Sequence, residues 1–235
     1  MEHMQNEEKK VTELKDNSNR SKQAINILWI ICILNLIGVI STYFEFQLLT
    51  RIRDGYDFSE QEALANDLRQ GLIGIFQFIA QITSIVLFLN WFRRAYGNLH
   101  RIGTSSLEYS ETMAIWGFII PFVNLYRPYK IAKEIAVETK NKVVEIVPDH
   151  EPSFNSSIIG FWWAMFLLTG FVANIAFRLF QQDDTIEQVI ISTQTYMLAD
   201  LIDLIAAIVT IIMIKEISRY ELLLFDNLKN GANMV

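Results

Sequence analysis

The sequence predicts an all-α protein, a helical transmembrane bundle with four full spans. Residues 24–44, 70–92 and 153–177 contain no charged side chain, and residues 188–214 contain only two. A helix that rises about 1.5 Å per residue needs roughly 20 residues to cross about 30 Å of hydrocarbon, and each stretch is long enough. The composition, 51% hydrophobic and 20% charged, is ambiguous as a total. Its segregation into apolar stretches excludes a soluble enzyme domain, a secreted disulfide scaffold and a disordered tail.

The expected elements can be placed in chain order from these stretches and from the charges between them. Residues 1–23 are strongly charged and nearly free of aliphatic side chains, which predicts a mobile tail. Pro148 and Pro152 lie in the stretch that reads best as a linker. The predicted order begins with a cytoplasmic polar tail (1–23) and a first membrane half (24–144). This half contains two spans (24–44 and 70–92), a re-entrant segment (112–126) and a surface helix (128–144). A linker (145–155), a second membrane half (156–220) with spans 156–178 and 194–215, and a cytoplasmic tail (221–235) follow.

Residues 112–126 are the ambiguous apolar segment. They carry no charge but number only fifteen, and Pro121 lies near their middle. Proline removes a backbone donor and disfavours helical geometry at the preceding residue. The segment is therefore a full span, a re-entrant pair of half-helices, or a piece buried beside the bundle.

The distribution of basic residues favours the interpretation in which this segment does not cross. If residues 112–126 enter and leave on one side, sixteen of the twenty Lys and Arg residues fall on the cytoplasmic side. If the segment crosses, the division becomes nine inside and eleven outside. Because cytoplasmic loops are enriched in Lys and Arg, the first arrangement is preferred, with both termini cytoplasmic.

The helix after the proline-broken segment is predicted to be amphipathic. Pro128 suits a first helical turn, where its missing N–H would be unpaired in any case. Ile131 and Ile135 lie one turn apart among several lysines. We expect this helix to lie on the cytoplasmic membrane surface, where anionic lipid attracts basic side chains.

Asp200 and Asp203 are the most informative charges, because they lie within an apolar stretch. Intramembrane carboxylates are costly and usually face the bundle interior with a partner. One interpretation pairs Asp200 with Arg178 at the end of the preceding span. The other is a proton- or cation-binding site in a small polar cavity that Gln77 and Gln81 also bound, although helix packing alone explains such glutamines.

Around the end of the second span, polar side chains predict a structural clamp. Arg94 and Asn98 share a helix face and would satisfy the irregular backbone near Pro121. The simpler interpretation is that this cluster anchors the span at the lipid headgroups. The proposed clamp residues are Trp91, Arg94, Asn98, Pro121, Asn124, Arg127 and Pro128.

Two stretches, WFRRAYGNLH and IWGFIIPFVNLYRPYKIAKEI, resemble elements of a bacterial multi-pass membrane family catalogued as domain of unknown function 4328. The matching residues are Trp91, Arg94, Ala95, Asn98 and Leu99, then Ile115, Gly117, Ile119, Pro121, Asn124, Leu125, Arg127 and Pro128. Phe118 stands where the family commonly has Trp. The resemblance implies a bacterial membrane location and supplies no activity.

Several functional classes are disfavoured by the sequence. A net charge of −6 offers no basic face for nucleic acid, and the three histidines are too scattered for a metal site or a histidine-based catalytic pair. No cofactor is expected. We therefore expect a non-enzymatic scaffold, regulatory or lipid- and protein-binding component of the bacterial inner membrane. Its partners are lipids, with protein partners or a second copy as further candidates. The alternative is a small proton- or cation-coupled transporter or channel subunit that uses the intramembrane carboxylates.

Overall fold

The computed structural model of the chain describes residues 14–147, 155–181 and 185–232, with side chains up to residue 229. These residues form six α-helices and one short 3-10 helix, and no strand occurs among them. The elements are α1 (Ser18–Arg53), α2 (Glu60–Arg101), α3 (Met113–Ile119), the 3-10 helix (Val123–Leu125), α4 (Arg127–Ile146), α5 (Ser157–Phe180) and α6 (Ile186–Ala232). The predicted all-α class is confirmed.

Four of these helices, α1, α2, α5 and α6, are long and apolar enough to cross a membrane. The predicted spans lie within them, apart from residue 156, which immediately precedes α5. Many of their large apolar side chains are exposed, for example Phe76 and Phe78 on α2 and Phe171 on α5. Apolar surface of this extent requires a nonaqueous neighbour, which a bilayer provides. The chain is a membrane protein.

The ends of the long helices are fixed by local hydrogen bonds that the sequence encodes. After α1, Gly55 adopts a φ of 82°, and the N–H of Tyr56 donates to the carbonyl of Arg51 at 3.0 Å. This is a Schellman ending, which favours glycine because an L side chain is strained at positive φ. At the start of α6, Thr185 and Gln188 exchange side-chain-to-backbone hydrogen bonds in a capping box.

The segment 112–126 is broken at its proline. Helix α3 has only seven residues and ends before Ile120, whose extended backbone (φ −72°, ψ 121°) is the conformation favoured in front of Pro121. Phe122 follows at a φ of 64°, and the 3-10 helix leads into α4. A full span at this position is therefore excluded, in agreement with the prediction of a short proline-broken segment.

The described residues group into two compact units. The first comprises those within Met1–Asn26, Ile85–Phe161 and Ile211–Val235, and the second comprises Ile27–Ser84 and Trp162–Thr210. Each unit takes residues from both sides of the predicted linker at 145–155, of which residues 148–154 lie outside the described part of the chain. The grouping thus does not coincide with the two sequential halves.

Helix α4 differs from its predicted setting. Its apolar stripe packs inside the first unit, and Ile131 and Ile135 are completely buried. An amphipathic pattern indicates that one face of a helix is covered, but it does not distinguish cover by protein from cover by lipid. Protein covers this face, so the apolar stripe is not the surface through which the helix would rest on lipid, and its place at the membrane surface stays a prediction. The buried residues of the helix are Pro128, Ile131, Ala132, Ile135, Ala136, Thr139 and Val143.

The polar tail is also more structured than predicted, where it is described. Residues 1–13 lie outside the described residues, but Asn17 is 5% exposed and α1 already begins at Ser18. The aspartate before it caps the helix, since Asp16 Oδ1 accepts the Ser18 N–H at 2.8 Å. Residues 14–23 are therefore fixed by specific contacts and are not a mobile tail.

Candidate functional site

A polar cavity of about 210 Å³ lies in the second unit. Helix α1 contributes Asn35, α2 contributes Gln77 and Gln81, and α6 contributes Asp200 and Asp203. The remaining lining is apolar and consists of Ile31, Leu34 and Phe78. No Lys or Arg is among these lining residues, so nothing in the wall neutralises the two carboxylates.

The sequence brings these side chains together through helical spacing. Gln77 and Gln81 are one turn apart on α2, as Asp200 and Asp203 are on α6, so each pair projects from one face. Gly38 on α1 completes the arrangement, because Asp200 and Gln77 lie where a β-carbon on this glycine would be. A glycine here lets the carboxylate approach the α1 backbone closely.

One hydrogen-bonded chain crosses the cavity wall. Gln77 Nε2 donates to Asp200 Oδ1 at 3.0 Å and to Asn35 Oδ1 at 3.3 Å. The other end of the Asn35 amide has no partner among the described residues, although Asn35 is only 5% exposed. An unpaired buried N–H costs free energy, so burial of this donor makes the site less stable than a fully paired one.

Arg178 does not reach this cavity, contrary to the paired arrangement considered from sequence. It lies two residues before the end of α5 and is exposed, and Asp200 accepts its hydrogen bond from Gln77. The reason is depth. Helix α6 begins at Ile186, which places Asp200 about 21 Å along its axis, so the two charges are at different levels. Arg178 is not part of the site.

Asn98, one of the predicted clamp residues, is buried, but its side chain binds a different segment of the chain. Its Nδ2 donates to the carbonyl of Lys15 at 2.8 Å, and its Oδ1 accepts the Lys15 N–H at 3.2 Å. The two bonds satisfy both polar groups of one residue in the chain before α1. The predicted partner, the irregular backbone near Pro121, is therefore wrong for Asn98.

Trp91 takes part in the same cluster. Its backbone carbonyl accepts a hydrogen bond from Asn17 Nδ2 at 3.2 Å, and its indole Nε1 donates to Ser218 Oγ at 3.1 Å. Asn17 Nδ2 also donates to the Glu221 carboxylate at 3.0 Å. In the first unit, the end of the second span thus binds the chain before α1 and the extension of α6.

The residues around the proline break stabilise one another instead. The Arg127 guanidinium stacks 4.9 Å from the ring centre of Tyr109, and its Nη1 donates to Met113 Sδ at 3.5 Å. Gly117 passes close to the Arg127 side chain, and Pro128 is buried at the second position of α4. Arg94 is half-buried, whereas Pro121 is exposed and Asn124 partly exposed, so Arg94 and Asn98 do not join this group as predicted.

A family model matches the part of the chain that contains most of these residues. Residues 54–219, more than half of the chain, match the family described as Domain of unknown function (DUF4328). The chain belongs to the DUF4328 family. No match was found among the curated proteins or among the solved structures.

The DUF4328 match divides the residues of both clusters. Gln77, Gln81 and the two aspartates lie inside it, whereas Asn35 lies on α1, which precedes the matched range. Likewise Trp91 and Asn98 lie within the match, and Asn17 and Glu221 lie outside it. In both units, segments beyond the family region therefore complete contacts made by residues within it.

Sequence reasoning missed Glu221 and the pair formed by Tyr96 and Glu134. Glu221 lies beyond Lys215, where the apolar run of α6 has ended, and burial raises the pKa of its carboxyl to about 7. The Tyr96 hydroxyl lies 2.6 Å from Glu134 Oε2 and 2.9 Å from the carbonyl of Tyr109. The hydroxyl donates to Glu134 and to the Tyr109 carbonyl in turn, since it has one hydrogen. Burial raises the pKa of Glu134, and the hydrogen bond from Tyr96 lowers it.

Each of these missed residues is a polar side chain whose partner is far away in sequence, so the periodicity of the sequence does not indicate the contact. A weak signal existed only at Asn17, since Asp-Asn-Ser before an apolar helix is typical of an N-terminal cap. Among the described residues, no group of three or more His, Cys, Asp or Glu side chains is placed to hold a metal ion.

Proposed function

We propose that this DUF4328 protein takes up protons at Asp200 and Asp203 within the membrane, as a non-enzymatic, proton-coupled membrane component. The observation that supports the proposal is the cavity that both carboxylates and two glutamines line, with no Lys or Arg among the lining residues. A charged aspartate at the centre of a spanning helix costs about 2.5–3.5 kcal/mol on insertion scales. Protonation removes that cost without the dehydration that a metal cation requires.

Water in the cavity would connect the carboxylates to a source of protons. A water molecule beside Asp200 or Asp203 donates a hydrogen bond to a carboxylate oxygen. The cavity volume of about 210 Å³ accommodates water beside the side chains. A hydrated pair of carboxylates one turn apart is an arrangement that shares and transfers protons.

Infrared difference spectroscopy of the purified protein between acidic and alkaline buffer tests the proposal. We expect a protonated-carboxyl C=O component that weakens in Asp203→Asn and is lost in the double variant Asp200→Asn/Asp203→Asn, while the components of other carboxyls such as Glu221 remain. Asp54→Asn is the matched control, because Asp54 is 46% exposed and pairs with Arg53 outside the cavity. An unchanged band in the double variant would refute the proposal.

We further propose that the protein resides in the bacterial inner membrane with both termini in the cytoplasm. The sixteen-to-four division of basic residues supports this orientation. In cells that carry Cys32→Ala, Glu145→Cys should react with an impermeant thiol reagent only after the membrane is opened, whereas Asp54→Cys should react in intact cells. Both side chains are well exposed, at 65% and 46%, so the contrast reports the side of the membrane. The reverse labelling pattern would contradict the orientation.

A second candidate function, lipid contact by the proline-broken segment, is supported by its exposed apolar side chains. Phe122 is 82% exposed at the tip of the break, with a strained positive φ. Lys130 and Arg127 follow it, as expected for a segment that meets lipid headgroups. The exposed apolar residues are Trp116, Ile119, Phe122, Leu125 and Tyr126.

A spin label measures whether this segment enters the bilayer. A nitroxide at Phe122→Cys, in a Cys32→Ala background in nanodiscs, should be more accessible to oxygen than to a water-soluble nickel complex. The same label at Glu145→Cys, which is 65% exposed on the end of α4, should show the opposite preference. Aqueous accessibility at both positions would exclude lipid contact by the segment.

A further inference from the structure

A second polar layer joins α1 and α2 in the same unit as the cavity. Gln70 Nε2 donates to Glu45 Oε2 at 2.9 Å, and Asn66 Nδ2 donates to Glu45 Oε1 at 3.4 Å. Ser41 Oγ donates to Gln70 Oε1 at 3.2 Å and accepts from Arg69 Nε at 2.9 Å. Together, Ser41, Glu45, Asn66, Arg69 and Gln70 form what we call the Glu45 layer.

The Glu45 layer lies on the same helix seam as the cavity. Ser41 pairs with Gln70, and Asn35 pairs with Gln77, so both contacts follow one antiparallel register of α1 against α2. Seven residues separate Gln70 from Gln77, which places the two layers about 10 Å apart along the helix axis. Both layers therefore belong to one polar seam between α1 and α2. On α1, Gly38 lies between the two layers.

Within its layer, Glu45 is bound only by neutral donors. The nearby guanidinium of Arg69 directs its hydrogen bonds to Ser41 and to Asn66 Oδ1, the latter at 2.6 Å. Arg69 and Asp67 are the charged groups that act on Glu45, with opposite effects, and burial has the largest effect and raises the pKa of the Glu45 carboxyl. Glu45 lies just after the charge-free stretch at 24–44, at the end of the predicted span, and is partly exposed.

We propose that Glu45 is the residue through which the Asp200–Asp203 cavity exchanges protons with the aqueous phase, and that Arg69 positions it by holding Ser41 and Asn66. A proton from water binds a Glu45 carboxylate oxygen. That O–H bond then breaks, the proton moves through water along the seam to a carboxylate oxygen of Asp200, and Glu45 returns to its charged form. The inference rests on the proposed proton uptake by the cavity.

The rate of cavity protonation after a rapid drop in pH tests this inference directly. Time-resolved infrared spectroscopy of the purified protein should show the band of Asp200 and Asp203 growing more slowly in Glu45→Gln by about a hundredfold, which is the lower range of what a positioned acid–base group contributes. The final amplitude of the band should be unchanged, because the cavity itself is intact. Glu45→Asp, which keeps a carboxyl group, should restore most of the rate.

Two controls separate the possible failures. Glu62→Gln removes an exposed carboxylate that pairs with Arg51 outside the layer, and it should keep the wild-type rate. A wild-type rate in Glu45→Gln would overturn the inference and leave proton uptake by the cavity standing. A band that persists in Asp200→Asn/Asp203→Asn would instead overturn the proposed function itself. Arg69→Gln should slow protonation of Asp200 and Asp203 without moving the pH at which their band reaches half of its amplitude. A shift of that pH with a normal rate would contradict the positioning role of Arg69.

Discussion

Asn98→Leu is expected to destabilise the protein by about 2–3 kcal/mol, since each lost hydrogen bond between an amide and the backbone contributes about 1–1.5 kcal/mol. Asn98 is 7% exposed, and its amide binds both the N–H and the carbonyl of Lys15. Leucine has the same branched arrangement of heavy atoms, although it is bulkier, and leaves both backbone groups without these partners. The chain before α1 should then detach from α2.

Unfolding of the detergent-solubilised protein, followed by circular dichroism, measures this loss. Asn227→Leu is the matched control, because Asn227 is exposed and bonds only to the Leu223 carbonyl of its own helix. Asn98→Asp should fall between the two, because it keeps the acceptor for the Lys15 N–H and loses the donor to the carbonyl. If Asn98→Leu unfolds with the control, the contact with Lys15 does not stabilise the fold. Normal folding combined with altered proton uptake would instead indicate a functional role for Asn98.

The spans were predictable because their signal is local. A helix in hydrocarbon must be apolar along a continuous stretch, and this property can be read from about 20 neighbouring residues. Pro121 acts locally too, through its effect on Ile120. The cavity was partly predictable for a related reason. Gln77 on α2, and Asp200 and Asp203 on α6, are polar groups within apolar stretches, and their favourable direction is inward.

What failed depends on relations between distant residues. The partner of Asn98 is 83 positions away and is a backbone group, which has no side-chain signature. The pairing of Arg178 with Asp200 failed because it depends on where α6 begins, and helix boundaries are the least predictable feature of a sequence. The apolar stripe of α4 was read correctly, but its covering surface was not, since lipid and protein satisfy Ile131 equally well.

Gly38→Ala is expected to disrupt the cavity from α1. A β-carbon at this position would collide with Asp200 Oδ2 and would lie 2.7 Å from Gln77 Nε2. Both atoms must move, so the 3.0 Å hydrogen bond between Gln77 and Asp200 must rearrange. Overpacking costs about 1–3 kcal/mol, and because both atoms are the far ends of flexible side chains, this collision lies at the lower end of that range. Alanine gains up to about 1 kcal/mol over glycine in a helix interior, so the net loss should be smaller than the collision alone implies.

Gly160→Ala is the matched control, because no atom lies within 4 Å of the β-carbon that it would add to α5. It should be neutral or stabilising by up to about 1 kcal/mol, so the two substitutions should differ in sign. A double variant identifies the cause, since Asp200→Ala removes the colliding carboxylate and should lower the cost of Gly38→Ala to that of the contact with Gln77 Nε2. The coupling is measured by unfolding all four proteins of the cycle. Additive effects would show that Gly38 serves only the helix, whereas strong coupling would establish that α1 approaches closely because the carboxylate needs the space of one missing methyl group.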